Sequence, residues 1–136
     1  MPRHYWLVKQ EPTKYSFDQL VADRRTMWDG VRNFQARNNL KAMRTGDRVL
    51  FYHSVIGTAV VGVCEVVREA YPDPTAKEPQ WVAVDLAPLS KLKRPVTLEQ
   101  IKAEKSLRDI PLLRQSRLSV MPLDKAAFDA IVKLGG

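Results

Sequence analysis

The sequence predicts an α+β domain built around a small curved sheet or barrel with short flanking helices. Three observations carry this. About five segments read as strands, a glycine interrupts the longest apolar run, and every helical stretch is short and capped. A length of 136 residues fits one domain spanning 1–136. A domain of this size buries roughly two thirds of its unfolded surface, so it needs no disulfide or metal staple.

Residues 4–9, rich in aromatic and branched side chains, read as the first strand. A turn over 11–15 follows, and Ser16 is a plausible N-cap for a helix to about Asp23. Residues 28–33 read as a turn leading into a second helix, capped by Asn33, from about Phe34 to Met43, where Thr45-Gly46-Asp47 ends it. Arg48 to His53 is a strand, and Gly57 turns into an apolar run, Thr58 to Val67, expected to be buried on both faces. Gly62 inside that run predicts a bulge or sharp bend. Residues 71–79 read as a loop, 81–86 as a strand and 97–105 as a short helix. A strand is expected over 117–120, and Asp124 caps a final helix to about Leu134.

Cys64 is the one cysteine, which excludes an internal disulfide and any zinc site needing two or more thiolates. In its apolar strand it reads as a buried, inert thiol. A reducing, cytoplasmic setting follows as the expectation. No run approaches the roughly 18 apolar residues of a membrane span, and the short polar Met1–His4 stretch does not open a signal peptide.

The formal net charge of +7 is unevenly placed, +5 within 1–68 and +2 within 69–136. Segment 24–48 holds Arg24, Arg25, Arg32, Arg37, Lys41, Arg44 and Arg48 against Asp29 and Asp47. Arginine suits bidentate contact with phosphate and stacking on bases, although a solvated helix face explains such a cluster equally well. Trp28 to Asn39 packs Trp, Asp, Gln, two Arg and three Asn around a turn and a helix start. Aromatic faces can stack on a base, and amides and carboxylates match its edge, while a helix start offers free N–H groups. The bland alternative is a core Trp28 with the asparagines as caps. Lys9-Gln10-Glu11 and Tyr52-His53-Ser54 each end a strand with hydrogen-bonding side chains.

Catalysis has little support. His53-Ser54 is no triad, the phosphate-cradling glycine motifs are absent, and two histidines are too few for the usual catalytic zinc. The residues therefore indicate no catalytic group, no metal and no cofactor.

Several runs of the sequence together resemble the EVE domain family, small PUA-like proteins related to YTH domains. The matching runs include Tyr5-Trp6-Leu7 with Lys9, Glu11-Pro12, Tyr15-Ser16, Trp28-Asp29-Gly30-Val31-Arg32-Asn33, Gln35-Ala36-Arg37-Asn38, Gly46-Asp47, Phe51-Tyr52-His53-Ser54, Pro72-Asp73-Pro74 and Arg117-Leu118-Ser119-Val120. The resemblance covers essentially the whole chain. It implies a curved, mostly antiparallel sheet or pseudo-barrel, and a non-enzymatic reader of a modified base flipped into an aromatic pocket. The implied ligand is DNA or RNA carrying, for instance, 5-methyl- or 5-hydroxymethylcytosine. The implied base-binding residues are Lys9, Gln10, Glu11, Ser16, Trp28, Asp29, Asn33, Tyr52, His53 and Ser54, with Trp28 as one wall. Arg32, Arg37, Asn38 and Arg117 are implied to hold phosphate, and their charge makes Lys91, Lys93 and Arg94 further candidates. Trp6, Phe34 and Tyr52 are candidates for a second aromatic wall. One departure is the short segment 55–60, where many members carry a longer, proline-containing loop. A monomer is expected, with any downstream action left to a separate effector protein. Two alternatives stay open: a small enzyme such as a glycosylase using Glu11 or Asp29, and a domain that binds a metabolite or protein.

Overall fold

The computed structural model describes residues 3–136, so the reading of Met1 and Pro2 as part of a polar N-terminus lies outside the described residues. β1 (Tyr5–Gln10) is followed by α1 (Phe17–Asp23), β2 (Thr26–Trp28), α2 (Phe34–Ala42), β3 (Arg48–His53), β4 (Ala59–Pro72) and β5 (Val82–Thr97). α3 (Leu98–Ala103), a 3-10 turn (Lys105–Leu107), α4 (Pro111–Arg114), β6 (Val120–Leu123) and α5 (Lys125–Leu134) complete the chain. The six strands form one mixed, open sheet in the order β2-β5-β4-β3-β1-β6. Among the described residues only β1 and β3 pair in parallel. The α+β class and mostly antiparallel sheet agree with expectation, while the sheet does not close.

Three consecutive buried residues in β1 (Trp6, Leu7, Val8) and four in β3 (Val49 to Tyr52) show that both faces of the central strands are covered. The helices bring Leu20, Leu40, Ile101 and Ile131 to the same core. Each expected cap is present. The side chains of Ser16, Asn33 and Asp124 accept from Gln19, Ala36 and Ala127 N–H groups, satisfying donors that a helix start leaves free. Thr97 forms a reciprocal capping box with Gln100.

The expected bend is there. The pairing of β3 with β4 slips beside Gly62, and the Phe17 ring occupies the space where a Cβ on Gly62 would stand, 2.3–2.5 Å away. A glycine at this point thus lets α1 dock directly on the strand.

Other expectations need correction. Tyr71 and Pro72 belong to β4, not to a loop, because they pair with Ala83 and Val82. β5 runs to Thr97 instead of ending near Leu86. The last strand is Val120–Leu123, leaving Arg117 in the preceding turn, since Leu118 N–H closes back on Gln115 O. The helix expected over 97–105 stops at Ala103. Trp28 ends a short strand, β2, whose residues pair with Val84–Leu86.

Candidate nucleic-acid interface

β1 and β3 finish side by side, with Gln10 opposite His53 and the Ser54 N–H donating to the Gln10 carbonyl at 3.0 Å. Two clefts open at this end of the sheet, and Gln10 lines both. The first, about 240 Å³, is bounded by Gln10, Lys14, Tyr15, Thr26, Met27, Trp28 and Asp29. The second, about 480 Å³, is bounded by Lys9, Gln10, Glu11, Tyr52, Ser54 and Arg117, with Val55, Leu112 and the 116–119 turn completing its rim.

The first cleft combines an aromatic residue from the turn after β1 with one from the end of β2. Trp28 is 6% exposed and packs edge-on against Phe51, 5.5 Å between centroids at 87°. Tyr15 is half-buried and its hydroxyl donates to Asp23 at 2.8 Å. Burial raises the Tyr15 pKa, so the phenol keeps its proton at neutral pH. Asp29 and Gln10 add a carboxylate and an amide, the groups that pair with the edge of a base.

The second cleft carries cations. The Lys9 ammonium donates to the Ser116 carbonyl at 3.1 Å, and its half-burial lowers its pKa. Arg117, exposed, lines the same cleft one residue beyond Ser116. Glu11 is held by Lys14 at 2.8 Å, and its backbone N–H is capped by the Gln10 side chain at 3.0 Å. Tyr52, buried among these groups, has its pKa raised by desolvation.

The remaining expected residues are engaged elsewhere. Ser16 spends its hydroxyl on the α1 cap. His53 Nε2 accepts the Phe17 N–H at 3.2 Å, and burial lowers its pKa, so the neutral ring serves as an acceptor that seats α1. Neither Ser16 nor His53 lines either cleft. Asn33 uses its Oδ1 as the α2 cap and borders a third cleft, of about 340 Å³, with Gln35 and Arg117.

Arg32 departs furthest from a phosphate-binding role. Its guanidinium donates to the buried Asp73 carboxylate at 3.0 Å, to the Val31 carbonyl at 3.0 Å and to Thr75 at 3.3 Å. Asp73 also accepts the Gly30 N–H at 2.9 Å and both the N–H and hydroxyl of Thr75. Burial alone would raise the Asp73 pKa, but the bonds from Thr75, Gly30 and Arg32 outweigh it and hold it at about 2. The carboxylate thereby ties the segment after Trp28 to the turn after β4, fixing one wall of the first cleft. Gly30, at φ +76°, supplies the left-handed turn that aims its N–H at Asp73.

On α2, Arg37 donates to the Asn38 side chain at 2.9 Å and lies over Phe34, 5.0 Å from its centroid. Phe34 in turn stacks on Trp81 at 5.0 Å, away from both clefts. Trp6 is core, its indole N–H donating to the buried Asp47 at 2.9 Å. Of the three candidate second walls only Tyr52 lines a cleft, and it is not the one holding Trp28. Tyr15 is the aromatic partner of Trp28 that residue-by-residue reading missed, and Asp73 is the missed anchor. Among the described residues no group of three His, Cys, Asp or Glu could hold a metal ion, and no helix is long and apolar enough to cross a membrane.

Comparison with known proteins places this geometry in context. The family model described as EVE domain matches residues 4–134. Thymocyte nuclear protein 1 of Mus musculus is 38% identical over 165 residues, covering 96% of this chain and 73% of that protein. The NMR structure of Rpa0253 from Rhodopseudomonas palustris is 47% identical with a TM-score of 0.93, covering 98% of this chain and 93% of that one. The crystal structure of human THYN1 in complex with DNA containing 5-methylcytosine is 35% identical with a TM-score of 0.90, covering 97% of each chain.

Proposed function

Because the chain belongs to the EVE domain family, we propose that it reads a modified base in nucleic acid, a modified cytosine extruded into the Trp28 cleft. The observation that carries the proposal is the pairing of Trp28 and Tyr15 with Asp29 and Gln10 around one small cleft, beside a second cleft that holds Lys9 and Arg117. In this reading the aromatic residues contact the base, and Gln10 and Asp29 meet its Watson–Crick edge. The neighbouring cations take the sugar-phosphate. Human THYN1 in complex with 5-methylcytosine-containing DNA supports 5-methylcytosine as the first ligand to try and DNA as the first strand.

Extruding a base costs a few kcal/mol, against which each stacked base returns about 1–3 kcal/mol. A methyl group on cytosine adds apolar surface worth roughly 0.8 kcal/mol when buried, so a several-fold preference is the expected size of discrimination. Recognition requires no bond to be broken, and we propose binding without catalysis. Glu11, one of the two carboxylates a glycosylase would use, is already engaged by Lys14. The domain 1–136 acts in this reading as a monomer in the cytoplasm, with a separate effector acting downstream.

The test is a titration of oligonucleotides containing cytosine, 5-methylcytosine or 5-hydroxymethylcytosine, as DNA and as RNA, followed by fluorescence anisotropy. Tighter binding of one modified strand supports the proposal, and identical affinities for all strands refute it. Release of free base from any strand would establish the glycosylase instead.

A further inference from the structure

The loop between β3 and β4 presents two large apolar side chains to solvent: Val55 is 71% exposed and Ile56 58%. Its backbone is constrained at both ends. The Ser54 N–H donates to the Gln10 carbonyl at 3.0 Å, and the Thr58 carbonyl accepts the Leu98 N–H at 3.1 Å. Between these anchors the Ile56 N–H returns to the Ser54 carbonyl at 2.8 Å, around a Val55 with φ of +72°. That is a γ-turn in its rare, strained form, centred on a β-branched residue that strongly disfavours positive φ. The strain has no packing return, since neither side chain reaches the core. Strained outliers of this kind concentrate at functional sites. Val55 also lines the cleft that contains Lys9 and Arg117, which adjoins the Trp28 cleft through Gln10.

We infer that Val55 and Ile56 form an apolar wedge that enters a nucleic-acid duplex at the step left open when the base is extruded. The inference rests on the base-reading function proposed above. A duplex is the occupant the surroundings favour. The cleft beneath the loop offers cations to one backbone, while the tip itself offers no charge and no hydrogen-bonding side chain, matching the stacked interior of a helix. Removing a base from a duplex leaves an unstacked gap, and an apolar side chain inserted there offsets part of the loss. A base in single-stranded nucleic acid leaves no such gap, so the wedge contributes to duplex binding alone.

The experiment measures the affinity of the protein for a 5-methylcytosine strand and its unmodified counterpart, each single-stranded and annealed to its complement, in wild type, Ile56→Ser and Val55→Gly. A 2-aminopurine next to the modified base reports unstacking. The ratio of duplex to single-strand affinity should fall by roughly tenfold in both variants, and the rise in 2-aminopurine fluorescence on binding duplex should be lost. Val55→Gly should raise the melting temperature by about 2–4 °C, because glycine relieves the turn, which separates weaker duplex binding from poorer folding. An unchanged ratio in both variants overturns the wedge while leaving the base-reading proposal standing. A wild-type protein that does not distinguish modified from unmodified strands overturns both.

Discussion

Single residues divide into those that line the clefts and those that hold the surrounding fold, and sequence neighbours fall on opposite sides of that division. Trp28 and Asp29 line the first cleft, whereas Arg32, three positions on, is consumed by Asp73. Nothing local marks Asp73 as its partner, because the contact spans 41 residues and depends on the β4–β5 pairing bringing the turn across. The carboxyl falls from its ordinary value of 3.8 to about 2 on folding. A depressed carboxylate stabilises the fold above the unfolded value and loses that contribution as pH falls towards the folded one. Asp73→Asn should therefore cost roughly 2–3 kcal/mol in urea unfolding at pH 7, with about half of the gap to wild type closing by pH 3. A gap independent of pH would mean that the carboxylate charge is not what matters. Ser16 offers the complementary case. Ser16→Ala should lower stability by about 1 kcal/mol through the lost cap and leave oligonucleotide affinity within twofold. A large loss of affinity with unchanged stability would restore Ser16 to the binding surface.

Among the elements, those with strong local signals were readable and those held by distant pairing were not. β1, β3 and the capped helices follow from branched residues, Ser16, Asn33 and Asp124. β2 is three residues long and exists because β5 pairs with it. The second half of β5 contains Pro88, Lys91, Lys93, Arg94 and Pro95, a composition that reads as loop, yet β4 and α5 hold it extended. The clefts were half legible: the strand-end runs announced Gln10 and Tyr52, but Tyr15 enters the site only because the turn after β1 folds towards β2. α1 seats the Phe17 ring directly on Gly62 of β4. Gly62→Ala should destabilise by about 1–3 kcal/mol, as the Phe17 ring must move to admit a methyl group. Pairing it with Phe17→Leu should recover part of that loss in a double-mutant cycle, and strict additivity would show that the two do not share the space.

For the whole molecule, the charge of +7 does not translate into seven phosphate contacts. Within the arginine-rich stretch Arg25, Arg32 and Arg48 are ion-paired with Asp85, Asp73 and Glu65, and Arg44 is bonded to the carbonyls of Lys41 and Met43. Lys91 likewise pairs with Asp18. Each ion pair is neutral, so the surplus rests on the cations outside these pairs, of which we propose Lys9, Arg117 and Arg37 for a backbone. About three phosphate contacts predict a log–log salt dependence of affinity with a slope near −3 on duplex DNA. A slope beyond about −6 would show that the wider basic surface wraps the strand. At the base itself, we propose that a modified cytosine is read in the cleft beside Trp28. It is tested most directly by the ratio of dissociation constants for matched strands with cytosine and 5-methylcytosine, in wild type and in Trp28→Leu shown by thermal melting to be folded. The predicted result is a several-fold preference for the modified strand in wild type that is abolished by the substitution, with about tenfold weaker binding overall. Preference retained in Trp28→Leu, or absent from wild type, would contradict the account.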